Sequence, residues 1–277
     1  MENPWNNRRP SARPPRATPL PRSDAPAPPA ARGNGDELRL FGVNAVLAAF
    51  KRRPEAVRKI YLLEMLIPRV QPLLKWCVAN RIGYRVVEDG DLNKLSGTTH
   101  HEGIVADVQR APVQALDQWL QQLPQGPVLA LWLDGVGNPH NLGAILRSSA
   151  HFGVSGLLLA EGSTLGISGA AARVAEGGAE AVPLVQLPAT AQAMAQLRAA
   201  GFALAATLVD GGANVFSTTL PQRLVYVMGA EAEGMDRALA AACDLQVSIP
   251  GSGAVESLNV ASATAVLLAQ WAASPGT

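Results

Sequence analysis

From residue 128 onward the chain repeats one pattern six times: a short apolar run followed by a stretch of helical spacing. The runs fall at 128–134, 156–160, 182–187, 202–208, 224–228 and 245–249, and they lack the alternation of strands that face water on one side. Strands of this kind are buried on both faces, and helical connections between them predict a parallel sheet covered on both sides. Ligands of such sheets sit beyond the carboxyl ends of the strands. The loops after Asp134, Leu208, Met228 and Ile249 are therefore where chemistry is expected.

The preceding part reads as a small α/β domain over 36–112. Strands are predicted at 38–42, 57–63, 84–87 and 103–108, with helices at 44–51, 70–80 and 91–95. Asn44 is placed to cap the first helix and Gly83 to follow the end of the second. Lys51, Arg52, Arg53, Arg58 and Lys59 form the one dense basic patch of this domain, which from the charge run alone reads first as a solvated face. A glutamine-rich stretch over 113–126 suggests a linker with a connecting helix, and the apolar-strand domain occupies 127–277. Residues 1–35 hold nine prolines and six arginines and too little apolar surface to offset ordering entropy, which predicts a disordered tail. Set against Glu2 and Asp24, those arginines give the tail +4; the chain's net +1 leaves −3 for the rest. The tail is either a solubilising extension or a phosphate-binding arm.

No apolar run reaches the eighteen or so residues of a membrane helix, and the Pro- and Arg-rich start has no signal-peptide core. A cytoplasmic protein without a membrane partner is expected. Cys77 and Cys243 are far apart and have no Cys or His companions at metal-ligand spacing, so neither zinc nor a disulfide is expected and both read as buried thiols. Gly251-x-Gly253 has Glu256 where a dinucleotide fingerprint needs its third glycine, which argues against a nicotinamide enzyme. His100 and His101 sit at a domain edge with no nucleophile or metal set, and read as structural or ligand-facing, not catalytic.

Three segments could carry chemistry. Within 128–153, glycines at 135 and 137 loosen a strand-to-helix loop, Asn141 can cap a helix starting near Leu142, and Arg147 lies on that helix. Within 224–235, Gly229 and Gly234 bracket Glu231 and permit close backbone approach to a ligand. Within 247–271, Pro250, Gly251 and Gly253 make an exposed loop, after which Ser257 and Asn259 stand near a helix N-terminus able to hold a polar or anionic group. The small residues 261–264 suit close packing against another backbone. Taken singly, each segment is also an ordinary cap or turn.

Taken together, and in this order, the segments resemble motifs 1, 2 and 3 of the SpoU/TrmH family of SPOUT-class RNA 2′-O-ribose methyltransferases. Asn141, Arg147 and Phe152-Gly153 match motif 1; Gly229-Ala230-Glu231 through Gly234 match motif 2; Ile249-Pro250 through Ser257-Leu258-Asn259-Val260 match motif 3. The segment from Phe41-Gly42 to His101-x-Gly103 looks like the substrate-binding domain of that family. The resemblance implies a C-terminal trefoil knot in the parallel-sheet domain, S-adenosyl-L-methionine (AdoMet) as cofactor, ribosomal or transfer RNA as substrate with ribosomal favoured, and a homodimer. It assigns Thr207, Gly229, Ile249 and Leu258 to the cofactor. It assigns Arg147, Asn141, Glu231, Ser257 and Asn259 to the methyl transfer, Arg147 as phosphate clamp and alkoxide stabiliser. The chain departs from the pattern at Gly251, where many members carry a larger residue, and at Ala261-Ser262. A non-catalytic RNA-binding or ribosome-assembly protein retaining the fold is the alternative; the intact polar residues favour the enzyme.

Overall fold

The structure, a computed structural model, describes residues 36–229 and 234–274, so the predictions made for 1–35 and for Glu231 lie outside the described residues. The chain begins with β1 (Glu37–Phe41), α1 (Val43–Arg52), β2 (Val57–Leu62), α2 (Gln71–Ala79), β3 (Gly83–Val86), α3 (Asp89–Ser96) and β4 (Ile104–Gln109). These strands form a four-stranded sheet in the order β1-β4-β2-β3, with β4 antiparallel to both neighbours and β3 parallel to β2 at the edge.

The chain continues through β5 (Gln114–Ala115), α4 (Leu116–Gln122), β6 (Val128–Leu133), α5 (Pro139–His151), β7 (Gly156–Leu159), α6 (Gly169–Val174), α7 (Gly178–Ala181), β8 (Leu184–Gln186) and α8 (Thr190–Ala199). It ends with β9 (Ala203–Leu208), β10 (Ala213–Asn214), β11 (Arg223–Met228), α9 (Arg237–Ala242), β12 (Leu245–Ser248) and α10 (Val260–Ala272). The second sheet runs β10-β12-β9-β11-β6-β7-β8-β5, and every ladder in it is parallel. All six expected strands are present. Successive residues of β6 explain why its run is apolar throughout: Leu129, Leu131 and Leu133 pack with Leu142, Ile145 and Leu146 of α5, while Val128, Ala130 and Trp132 join the opposite core with Met194 and Leu197 of α8. The glutamine-rich segment does more than connect. Gln114–Ala115 adds the edge strand β5 beside β8, and Trp119 of α4 is buried against Phe202.

Several local expectations are corrected. Asn44 does not cap α1. The cap residue is Gly42, at φ +93°, and the free N–H of Val43 is met by the Glu102 carboxylate at 3.0 Å, while Asn44 donates to the Glu176 carboxylate. Gly83 does not end α2; Asn80 does, with Arg81 in the left-handed region, and Gly83 opens β3. Cys77 is buried as expected, but Cys243 is only half-buried. Of the two histidines, His101 is buried and accepts from the Gly103 N–H through Nδ1, whereas His100 is exposed.

The two sheets meet along a seam in which sequence-distant charges are paired. Arg53 grips Glu180 with two parallel bonds of 2.7 and 2.8 Å and donates a third to the Gln109 carbonyl. A bidentate, largely buried pair of this kind contributes more than an open surface pair, on the order of 1–2 kcal/mol. Glu102 pairs with Arg173 at 3.5 Å while it caps α1, and those two contacts offset the roughly 1–2 kcal/mol that its left-handed backbone costs. Among the described residues no helix is long and apolar enough to cross a membrane, and no group of three His, Cys, Asp or Glu could hold a metal ion.

Candidate active site

The site lies where the order of the parallel sheet reverses. From β6 the chain steps outward through β7 and β8 on one side, then crosses to build β9, β11 and β12 on the other. The crevice between the carboxyl ends of β6 and β11 is such a reversal point, the usual place for a ligand in this architecture. It is closed at its base by the Asp134 N–H donating to the Met228 carbonyl at 2.8 Å. Burial pushes the Asp134 carboxyl above the usual carboxylate range; the Asp236 N–H partly opposes this and the Asp236 charge adds to it.

Register gathers the residues after these strands on one edge. Met228 is paired with Leu133 on one side and Thr207 on the other, Val247 faces Thr207, and Ser248 faces Leu208. Thr207, Gly229 and Ile249 therefore stand side by side at the ends of β9, β11 and β12. The Thr207 hydroxyl donates to the Val227 carbonyl at 2.8 Å, which fixes its rotamer. At Gly229 an added Cβ would lie 2.6 Å from the Met235 nitrogen, so only glycine lets Met235 come this close. Asp236 caps α9 through the Leu239 N–H.

The third segment reaches the same edge through α10, which packs on α5. Asn259 is the N-cap of α10: its Oδ1 accepts from the Ala261 N–H at 2.9 Å. That bond orients the amide, and its Nδ2 donates to Asn141 Oδ1 at 3.2 Å. Two residues 118 positions apart in sequence are thus joined side chain to side chain. Leu258, next to Asn259, is 47% exposed, and Val255 is 71% exposed, so apolar side chains stand open beside a polar edge. Within α10, Thr264 is buried with its hydroxyl on the Val260 carbonyl, while Ser262 is exposed.

Asn141 is not the helix cap. Asn138 is, accepting from the His140 N–H at 2.9 Å, with Pro139 at the first helical position. Freed from capping, Asn141 sits in the first turn facing Asn259. Arg147 is exposed and makes no hydrogen bond or ion pair among the described residues; six residues beyond Asn141, it points about 120° away around the helix, on the face shared with His140 and His151. Ser257 is exposed on the approach to Asn259. The structure therefore brings together Asn141 and Asn259, and separately Thr207, Gly229 and Ile249, and leaves Arg147 reaching outward. On the other flank of β6 a cleft of about 490 Å³ opens between residues 135–139 and 160–166. Sequence reasoning singled out the near wall, the loop after Asp134, and passed over the far wall because the β7–α6 loop holds no motif; it also passed over Asn138, although Asn-Pro ahead of an apolar helix was a signal.

Comparison with known proteins agrees with this arrangement. The sequence profile of the SpoU rRNA Methylase family matches residues 128–269, and that described as RNA 2′-O ribose methyltransferase substrate binding matches 39–126. The chain belongs to the SpoU methylase family. Its relatives include the Escherichia coli O157:H7 protein described as uncharacterized tRNA/rRNA methyltransferase YfiF, 40% identical over 241 residues, which are 87% of this chain and 69% of that one. The 23S rRNA (guanosine-2′-O-)-methyltransferase RlmB of Nitrosomonas europaea is 35% identical over 83% of this chain and 88% of its own length. Among solved structures, the SpoU methyltransferase AviRb of Streptomyces viridochromogenes, in complex with AdoMet, superposes with a TM-score of 0.71 at 26% identity, covering 86% of this chain and 90% of that one. Within the SpoU methylase pattern, the Asn141–Asn259 bond is the physical junction of motifs 1 and 3.

Proposed function

We propose that the protein transfers a methyl group from AdoMet to a ribose 2′-hydroxyl of structured RNA, ribosomal in preference to transfer RNA. The observation that carries this reading is the Asn259–Asn141 bond, which sets two family motifs face to face at the edge where the strand-end loops gather. That edge suits the cofactor. Gly229 places no side chain at the end of β11, the half-buried Ile249 and the exposed Leu258 offer apolar cover, and Thr207 anchors the sheet beneath them. When bound, AdoMet supplies a methyl group already activated on a sulfonium. The protein's part is to align the hydroxyl and stabilise the oxygen as it becomes nucleophilic. Arg147 has five N–H donors and no acceptor, so its role is to clamp a phosphate and stabilise developing alkoxide charge. Asn141 and Asn259 hold the ribose, with Ser257 and Glu231 completing the set.

The relatives named for guanosine in 23S rRNA support a guanosine target, and a ribosomal RNA substrate fits a cytoplasmic site of action. The four-stranded sheet over 36–112 serves as the RNA-holding unit, 113–126 as the connection, and 127–277 as the methyltransferase unit. A knot is supported by the path of the last segment: β12 lodges between β9 and β10, inside the sheet, and α10 then returns across to α5. The exposed faces of α5 and α10 are the surfaces through which two copies pair, with Arg147 reaching into a shared site.

Calorimetry with AdoMet and label transfer into unmodified 23S transcript test the reading. Binding and transfer are expected for the wild type. Arg147→Ala should lower transfer by at least a hundredfold with AdoMet affinity held within about twofold; parallel loss of affinity would give Arg147 a structural role instead. Bound AdoMet with no transfer to ribosomal or transfer RNA would mark the chain as a binding protein that keeps the fold.

A further inference from the structure

The cleft beside β6 shares no lining residue with the proposed cofactor edge, yet it ends two residues short of Asn141, proposed above to hold the ribose. Its near wall ends at Pro139, two residues before Asn141, and its far wall is the loop after β7. The cofactor edge lies on the β11 side of β6 and the cleft on the β7 side, so a ribose held at Asn141 and Asn259 stands between them. A base attached to that ribose has the cleft as its nearest concavity, whose volume of about 490 Å³ lies within the range of small-molecule sites.

The lining is specific. Gly135, Gly137 and Gly162 contribute no bulk, and Pro139 and Leu165 offer apolar surface for a ring. Glu161 is the one ionisable residue on the lining. It is exposed, and its carboxylate makes no hydrogen bond or ion pair among the described residues. The neighbouring Ser163 hydroxyl is already occupied by the Leu165 N–H at 3.2 Å. An open carboxylate repels phosphates, so it is out of place on an RNA-binding surface unless it faces donors. Ionised, it only accepts, and through two oxygens. Guanine is the base whose pairing edge presents two adjacent donors, N1–H and the 2-amino group. Adenine and cytosine set a ring-nitrogen acceptor beside their amino group, and uracil flanks its one N–H with two carbonyls.

We propose that this cleft receives the base of the methylated nucleotide and that Glu161 selects guanine by accepting both donors of its pairing edge. The proposal rests on the methyltransferase reading above and adds to it a specificity residue. Proteins read unstacked RNA bases through this edge, and a carboxylate set against two donors there favours the base that supplies both.

The test uses the full chain. The methylated position is mapped on a 23S transcript, and a hairpin spanning it is made with guanosine, inosine or adenosine at the target; inosine keeps N1–H and lacks the 2-amino group. Wild type is expected to show kcat/KM at least tenfold lower on inosine than on guanosine, and lower still on adenosine. Glu161→Ala should lose ten- to hundredfold on guanosine and no longer separate guanosine from inosine, with AdoMet affinity unchanged by calorimetry. Glu161→Gln, which offers a donor beside an acceptor, should narrow the gap between adenosine and guanosine. Retention of the wild-type preference by Glu161→Ala overturns the proposal, as does a wild type indifferent to the 2-amino group. If the wild type binds AdoMet but methylates no hairpin, the parent reading has failed; competition binding of hairpins carrying guanosine or inosine in the corresponding loop then decides Glu161 separately. A preference that disappears in Glu161→Ala upholds it, and equal binding overturns it.

Discussion

Asn259 does two jobs with the two ends of one amide, and they can be separated. The oxygen caps α10, a contact worth about 1 kcal/mol when replaced by alanine; the nitrogen donates to Asn141. Serine caps helices as well as asparagine does but is too short to reach across to Asn141. Asn259→Ser should therefore melt close to the wild type while transferring methyl groups at least tenfold more slowly, whereas Asn259→Ala should lose both stability and rate. Thermal melts paired with label transfer read the two effects. A serine variant with the wild-type rate would reduce Asn259 to a helix cap.

The helix α5 carries both Asn141 and Arg147, and its seat is set by glycine. A Cβ at Gly143 would lie 2.6 Å from the Ala171 carbonyl oxygen and 2.7 Å from Val174 Cβ, so α5 and α6 approach through bare backbone. Gly143→Ala gains helix propensity but must push the helices apart, and overpacking of this kind costs about 1–3 kcal/mol. The melting temperature should fall by roughly 3–10 °C. Transfer should fall further than AdoMet affinity, because the shift moves motif 1 away from motif 3 while leaving the loops at 229 and 249 in place. An unchanged melting temperature would show that α6 yields. The central strands were legible because two-sided burial leaves an apolar run, and the order of the motifs was legible because it follows the chain. Contacts set by the fold were not. Glu102 caps α1 from 59 residues away, so local reading gave that role to Asn44. The strands β5 and β10 are two residues each and owe their existence to a neighbouring edge, with no pattern of their own. Only the capping role given to Asn141 was wrong: a cap and a site residue look alike in sequence, and the structure separates them by placing the cap at Asn138 and Asn141 against Asn259.

At the scale of the whole molecule, the part from residue 36 onward holds more acidic than basic side chains, although the protein acts on RNA. It carries −3 by the formal count, and many of its arginines are occupied. Arg39 is paired with Asp107, Arg53 with Glu180, Arg173 with Glu102 and Arg198 with Asp244, while Arg110 and Arg223 are bonded to backbone carbonyls. Even the basic patch expected at 51–59 is depleted. Arg53 is held at the seam and Lys59 lies over the Tyr61 ring, which leaves Lys51, Arg52 and Arg58 exposed, Arg58 with its bonds to the Glu55 carbonyl and the Gln109 amide oxygen. To further exposed cations among the described residues, Arg69, Lys75, Arg81, Arg85, Arg147 and Arg237, residues 1–35 add six arginines. If they meet phosphates, each releases a counterion, and with about 0.7 per contact on single-stranded RNA the slope of log affinity against log salt should fall in magnitude by about 4 when residues 1–35 are removed. Affinity measured from 50 to 200 mM salt gives that slope directly. The turnover of bound RNA should stay the same, since Asn141, Arg147 and Asn259 are untouched, so the loss should fall on KM and leave kcat alone. A slope that does not change on truncation makes the tail a solubilising extension and returns the task of holding phosphates to the exposed cations of the described residues.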